Sequence, residues 1–282
     1  MLGIDYIVPD ISYLLERKQN IRGILLTHGH LDHIGAIPYL IEKLGFPPIY
    51  GTRLTIGFVN KRLEEFGLTK SAKVHNIHPD DTLRLGHFTA SFFRVNHSIP
   101  DAVGVFLESP AGSFVHTGDF KFDMNPAGDQ RPAEFDKIAS YGNKNVLALF
   151  SDSTNALKPG QTISEQKVAN NLEAIIKKTE GRIIVTAFSS LIGRLQQLLD
   201  FAQKYKRQVF LTGRSMLDNM EISRNLGHLK YPNNLIHDIS KLKSFSDERV
   251  MIFTTGSQGE DVSALSRISV NDHPHVKLKK GD

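Results

Sequence analysis

The stretch LLTHGHLDHIG, residues 25–35, sets three histidines and one aspartate within six positions directly after an apolar run. The pattern is H-x-H-x-D-H, made by His28, His30, Asp32 and His33. GILLT (23–27) reads as a strand, and AIPYLIEKLG (36–45) as a helix with Pro38 near its first turn and Gly45 as its stop. His28 and His30 project to one side of an extended segment, while Asp32 and His33 follow where a helix begins. Two ligand pairs then face two ions a few ångströms apart. The plain alternative is a solvated polar turn.

Two ions need more donors than one turn supplies, and these have to come from other strand ends. His97 closes the apolar run SFFRVNH, and Asp119 follows FVHTGD, where Gly118 permits a tight turn directly after a strand. His97 and Asp119 are therefore the further candidate ligands. His116 is either a supporting partner of this site or an ordinary strand histidine. His75, His78 and His87 have no such companions and read as surface or packing residues, and DHPH (272–275) reads as loop.

The chain of 282 residues contains no cysteine, which removes disulfides, thiolate catalysis and cysteine zinc sites together. Any metal must be held by histidine and carboxylate. Lys plus Arg number 34 against 30 acids, a net charge of only +4, which is compatible with a nucleic-acid partner without arguing for one. The opening MLGIDYIVPD has no basic region followed by an apolar stretch. No run approaches the roughly 18 apolar residues of a membrane span. The expectation is a soluble, cytoplasmic protein with no membrane partner.

HFTASFFRVNH (87–97), AVGVFLES (102–109) and GSFVHT (112–117) are rich in aromatic and β-branched residues and are joined by short turns, which predicts successive antiparallel strands. After NVLALF (145–150) the texture becomes a regular strand and helix alternation. Thr162 with Glu165 fits a capping box for a helix ending before Gly181, and RIIVTA, QVFLTG and VMIFTTG read as strands of a parallel α/β unit. Residues 1–155 are expected to form one domain and 156–282 a second. Three strands of the second end in small polar loops, VTAFSSLIGR, FLTGRSM and FTTGSQGE, whose backbone N–H groups suit anions. Simple capping by Ser and Gly is the alternative.

THGHLDHIGAIPYL, the histidine of VNHSIPDAVG, and HTGDFKFD resemble the metallo-β-lactamase superfamily. More narrowly, SDSTNA (151–156), TGRSM (212–216) and TTGSQGE (254–260) are similar to the β-CASP nuclease group, and most of all to its ribonuclease J family. The resemblance spans essentially the whole chain. It implies an α/β fold, a metallo-β-lactamase αββα sandwich carrying an inserted parallel α/β β-CASP domain, both incomplete. It implies two zinc ions, one held by His28, His30 and His97 and the other by Asp32, His33 and Asp119, with Asp119 bridging; Mn²⁺ suits such donors too. Asp119 and Asp32 are then the catalytic carboxylates, Asp32 orienting the attacking water.

The same resemblance implies a 5′-to-3′ exonuclease acting on 5′-monophosphorylated RNA, with endonuclease activity besides, in rRNA processing and mRNA decay. Ser189, Ser190, Arg194, Ser257 and Gly259 are the candidate RNA or phosphate contacts. Asp152 matches the first acidic motif of the β-CASP group and would support the metal site, unless it only caps the turn that follows. The full-length protein would be a homo-oligomer, dimer or tetramer. The family pattern begins ahead of Met1 and continues past Asp282 with an H-x-S-G-H motif and a further histidine ligand. A fragment is therefore expected, weak in zinc binding and nearly inactive alone. A zinc hydrolase of a small ester, thioester or lactam shares the metal motif, and a catalytically weak RNA-binding paralogue shares the fold.

Overall fold

The computed structural model describes residues 3, 6–127, 130–261 and 263–282. Positions 1, 2, 4 and 5 of the opening MLGIDYIVPD lie outside the described residues. The chain divides into two units, Met1–Phe122 with Pro132–Gly160, and Asp123–Arg131 with Gln161–Asp282. The sequence boundary at 155/156 lies just inside the first unit.

In the first unit, β1 (Ile24–Leu25), β2 (Ile49–Gly51) and β3 (Val74–Asn76) pair in parallel as a three-stranded sheet. A five-stranded sheet follows in chain order: β4 (Thr82–Leu85), β5 (Phe88–Arg94), β6 (Val103–Ser109), β7 (Gly112–His116) and β8 (Val146–Phe150). The first four are antiparallel neighbours joined by short turns, as the aromatic and β-branched runs predict. β8 lies parallel to β7.

Period-two alternation along β5 and β6 sends side chains to two different cores. Ala90, Phe92, Val103 and Val105 meet Leu25 and Tyr50 of the small sheet. Phe93, Ala102 and Phe106 face the other way, onto Ile138 and Tyr141. Those two residues belong to the helix Phe135–Gly142, and Tyr141 stacks on Phe106 with ring centroids 4.3 Å apart. The helix Arg53–Glu65 buries Leu54, Phe58, Val59 and Leu63 and packs on β2 and β3. The layers are helix, sheet, sheet, helix, the αββα sandwich.

Two expected elements are shorter than their patterns. GILLT contributes only Ile24 and Leu25 to the strand; Leu26 still donates its N–H to Tyr50 O at 2.8 Å, and beyond it the chain turns to bury His28. AIPYLIEKLG is helical only over Ile37–Leu40 and continues as turns up to Gly45, with Pro38 in the first turn where its missing N–H costs nothing.

The second unit is a four-stranded, wholly parallel sheet of β9 (Ile183–Thr186), β10 (Gln208–Leu211), β11 (Ile236–His237) and β12 (Val250–Thr254), ordered β11-β10-β12-β9. Phe210, Val250 and Ile252 pack on one face against Leu242, Ile268 and Val276. The helices Glu165–Lys178, Ile192–Lys204 and Arg214–Asn225 alternate with the strands. The cap of the first of these is a correction. Ser164, not Thr162, is the N-cap residue: its Oγ accepts from Lys167 N at 3.3 Å, and helix begins at Glu165 itself, so Glu165 cannot stand three residues into it. Asp123 Oδ2 accepts the Glu165 N–H at 2.8 Å, a second cap from about forty residues upstream in sequence.

Candidate metal centre

His28 and His30 follow β1, Asp32 and His33 sit in the short helix Leu31–Ile34, His97 follows β5, and Asp119 follows β7. β5 and β7 are both antiparallel to β6, so their carboxyl ends lie at the same edge. Two backbone links and one to a side chain hold these segments together. Val103 N donates to Thr27 O at 2.9 Å, Lys121 N donates to Asn96 O at 2.8 Å, and Ala133 N donates to Asn96 Oδ1 at 3.0 Å.

Two glycines are set by close approach at this edge. A Cβ on Gly29, between the first two histidines, would stand 2.8 Å from Phe58 Cδ2 and 3.3 Å from Thr55 Cα, so the helix Arg53–Glu65 leaves room for no side chain there. Gly118 takes φ +60 to aim Asp119 back at the histidines, and its bare Cα lies against Thr27 and Val103 O.

The donor atoms converge as two sets. His28 Nε2 and His97 Nε2 each lie 3.0 Å from His30 Nδ1. Asp119 Oδ2 stands 3.9 Å from His28 Nε2, 3.7 Å from His97 Nε2 and 3.5 Å from His33 Nε2, and Asp32 Oδ2 is 3.4 Å from His33 Nε2. Among the described residues, His28, His30, His97 and Asp119 form one group able to hold a metal ion and Asp32, His33 and Asp119 another, each with all donor atoms within 4.8 Å. All six residues named from the sequence are thus brought together, with Asp119 common to both groups.

The electrostatics suit ligation. Burial, reinforced by His33, His30 and His97, pushes the His28 imidazole down to about 2. Burial first, then His97, lowers His30 to about 4, and burial lowers His97 as well. The rings are therefore neutral at neutral pH, the form in which imidazole offers a lone pair. Three imidazole nitrogens face one small space, His28 Nε2 and His97 Nε2 each 3.0 Å from His30 Nδ1. Three nitrogens and one shared carboxylate make the donor set that zinc and similar divalent ions take.

Asp152 follows β8 beside this edge. Burial works against its ionisation, but the Thr154 N–H and hydroxyl and the Phe120 N–H hold the carboxyl below the usual range. Its Oδ1 takes both Thr154 donors, at 2.8 and 2.7 Å, so the turn-capping alternative is realised, while its charge also acts on His97. His116 accepts the Gly118 N–H on Nδ1 at 3.0 Å and stacks on Phe150, so it braces the turn that presents Asp119. His75, His78 and His87 are exposed.

In the second unit, the three polar loops follow the carboxyl ends of β9, β10 and β12. Ser189 Oγ accepts from Asn219 Nδ2 at 2.9 Å, and Ser257 and Gly259 lie in an exposed turn closed by Gly259 N on Gly256 O. Arg194 is held by Glu165, its Nη2 2.6 Å from Oε2. A cavity of about 560 Å³ opens instead beside Thr212, Arg214, Ser215, Thr255 and Arg267, and none of the five candidate contacts lines it. His273, expected in a plain loop, is buried and lies 2.7 Å from Thr212 Oγ1 through Nε2. Its Nδ1 accepts the Val276 N–H, so Nε2 carries the proton.

Residues 8–138 match the beta-lactamase superfamily domain, and residues 180–282 match the ribonuclease J beta-CASP domain. All of the chain aligns with ribonuclease J of Synechocystis sp. at 41% identity, and with ribonuclease J of Thermus thermophilus at 42%. The chain thus carries a beta-lactamase superfamily domain and a ribonuclease J beta-CASP domain, and it is similar to ribonuclease J along its whole length. It spans about half the length of these curated relatives, 44% of the first and 50% of the second, and 41% of ribonuclease J of Helicobacter pylori strain J99, to which it is 39% identical. A crystal structure of a protein of unknown function from Enterococcus faecalis V583 shares the fold with a TM-score of 0.58 at 15% identity, covering 85% of this chain and 59% of that one.

Proposed function

We propose that the chain is the core of a ribonuclease that holds two divalent metal ions, zinc in first place and Mn²⁺ as the alternative, and hydrolyses RNA phosphodiesters. The observation that carries this reading is the convergence of two donor groups on a shared Asp119 Oδ2, in a chain whose full length aligns with ribonuclease J. His28, His30, His97 and Asp119 hold one ion, and Asp32, His33 and Asp119 the other. Such ions supply Lewis acidity: they offset charge on a phosphodiester and make water more acidic.

The protein groups around them divide the remaining work. The neutral imidazoles keep their lone pairs for ligation, and Asp119 ties the two positions together. Asp32 is the most open of the donors, its side chain 78% exposed, and orients the attacking water from the solvent side. Ser189, Ser190, Ser257 and Gly259 offer hydroxyl and backbone donors at strand ends for the RNA backbone, and Arg194 joins them with its charge shared by Glu165. The substrate is 5′-monophosphorylated RNA, degraded 5′ to 3′ with internal cleavage besides, in a cytoplasmic homo-oligomer serving RNA processing and decay. No helix among the described residues is long and apolar enough to cross a membrane.

The test is cleavage of a 5′-monophosphorylated RNA by the full-length protein that carries this chain as its core, in the presence of Zn²⁺ or Mn²⁺, with a chromogenic lactam as the competing substrate. The double substitution His28→Ala with Asp32→Ala is expected to reduce RNA cleavage on the order of 100-fold or more while RNA binding persists. Undiminished cleavage by the double variant, or hydrolysis of the lactam with none of the RNA, contradicts the reading.

A further inference from the structure

The two histidines nearest each other in sequence offer different ring nitrogens to the centre. His28 presents Nε2 and His30 presents Nδ1, 3.0 Å apart. An imidazole that gives a lone pair from one nitrogen carries its proton on the other. His28 must therefore be the Nδ1–H tautomer and His30 the Nε2–H tautomer, opposite choices within three residues of chain.

A side-chain oxygen stands at each of these far nitrogens. Thr27 Oγ1 lies 3.1 Å from His28 Nδ1, and Ser98 Oγ lies 3.3 Å from His30 Nε2. Neither contact is accidental to its surroundings. His28 is fully buried, so its Nδ1–H needs an acceptor from the protein. Thr27 is buried too, fixed by its carbonyl on Val103 N and by the bare Cα of Gly118 against its Cβ. Ser98 follows His97 directly, so the turn that brings one ligand in also brings the acceptor for another.

We infer that Thr27 and Ser98 are positioning residues which accept the far-side imidazole protons of His28 and His30, lock the two rings into opposite tautomers, and so preset Nε2 of one and Nδ1 of the other for a divalent ion. The inference rests on the metal reading of this site proposed above. A wrong tautomer points an N–H at the ion position and has to be reversed before ligation. Partners of this kind orient the ring and raise the basicity of the nitrogen that ligates, and their loss typically weakens metal affinity about 10- to 100-fold.

The experiment measures Zn²⁺ affinity of the full chain by competition with a chelator, and the visible absorption of the Co²⁺ form. It compares the unsubstituted chain with Ser98→Ala, Ser98→Thr, Thr27→Val and Thr27→Ser. Expected is a loss of about tenfold or more in Zn²⁺ affinity for Ser98→Ala and Thr27→Val, with an altered Co²⁺ spectrum. Ser98→Thr and Thr27→Ser, which keep the hydroxyl, should retain the affinity and the spectrum. Melting of the metal-free proteins, followed by circular dichroism, separates this from a packing defect, since Thr27→Val keeps the shape of threonine. Unchanged affinity and spectrum in Ser98→Ala and Thr27→Val, with the unsubstituted chain binding metal, overturns the positioning role. Failure of the unsubstituted chain to bind either metal overturns the metal reading itself, and the inference with it.

Discussion

His28 and His30 carry an unusual cost, because burial first and neighbouring imidazoles second keep both rings neutral well below the ordinary histidine range, and burial lowers His97 as well. The unfolded chain binds protons on these rings as pH falls through about 6.5, while the folded chain does not until about 4 at His30 and about 2 at His28. The unfolded state thus binds more protons in that window, so folding stability is full above pH 6.5 and declines as pH drops. The metal-free chain is expected to lose on the order of 1 kcal/mol per pH unit for each of His28 and His30 between pH 6 and 4. Denaturant titrations at pH 7, 6 and 5 check this, and His28→Gln should flatten the slope; a midpoint independent of pH would show that the rings are not held neutral. At this scale the sequence was informative, since His28, His30, Asp32 and His33 reach the centre through a local pattern and His97 and Asp119 through their places at strand ends. Thr27 and Ser98 gave no comparable signal, because a hydroxyl beside a histidine is common and only the folded turn shows which ring nitrogen it meets.

Elements were legible where the pattern is long and hidden where pairing is brief. β5 and β6 declare themselves by runs of aromatic and β-branched residues, seven residues each in the fold, whereas β1 and β11 are two residues long and owe their pairing to β2 and β10. Helix caps show the same limit. Thr162 and Glu165 have capping-box spacing, yet Ser164 is the local cap, and Asp123 adds a carboxylate that no local pattern connects with this helix. Ser164→Ala is expected to cost about 1 kcal/mol. Asp123→Ala should cost more, about 1–3 kcal/mol, because the aspartate is buried and also accepts the Asn125 N–H. Thr162→Ala, at an exposed position, should stay within about 0.5 kcal/mol. Urea unfolding of the three variants orders them; equal costs at Thr162 and Ser164 would restore the box.

At the scale of the whole molecule, each unit builds its own kind of edge. In the first, the carboxyl ends of β1, β5 and β7 deliver donors from positions 28 to 119 to one place, which no stretch of sequence supplies alone. In the second, parallel strands end in polar loops, the general location of ligands in open α/β sheets. What surrounds these loops was not legible: Arg194 is paired with Glu165, and a cavity beside them is lined by Arg214 and Arg267. The central claim remains the paired donor groups sharing Asp119. Anomalous diffraction at the zinc edge, from crystals of the chain grown with Zn²⁺, tests it most directly. Two peaks are predicted, one about 2.0–2.2 Å from His28 Nε2, His30 Nδ1 and His97 Nε2, the other at the same range from Asp32 and His33, with Asp119 touching both. Zinc bound elsewhere on the chain while these six residues hold none would contradict it.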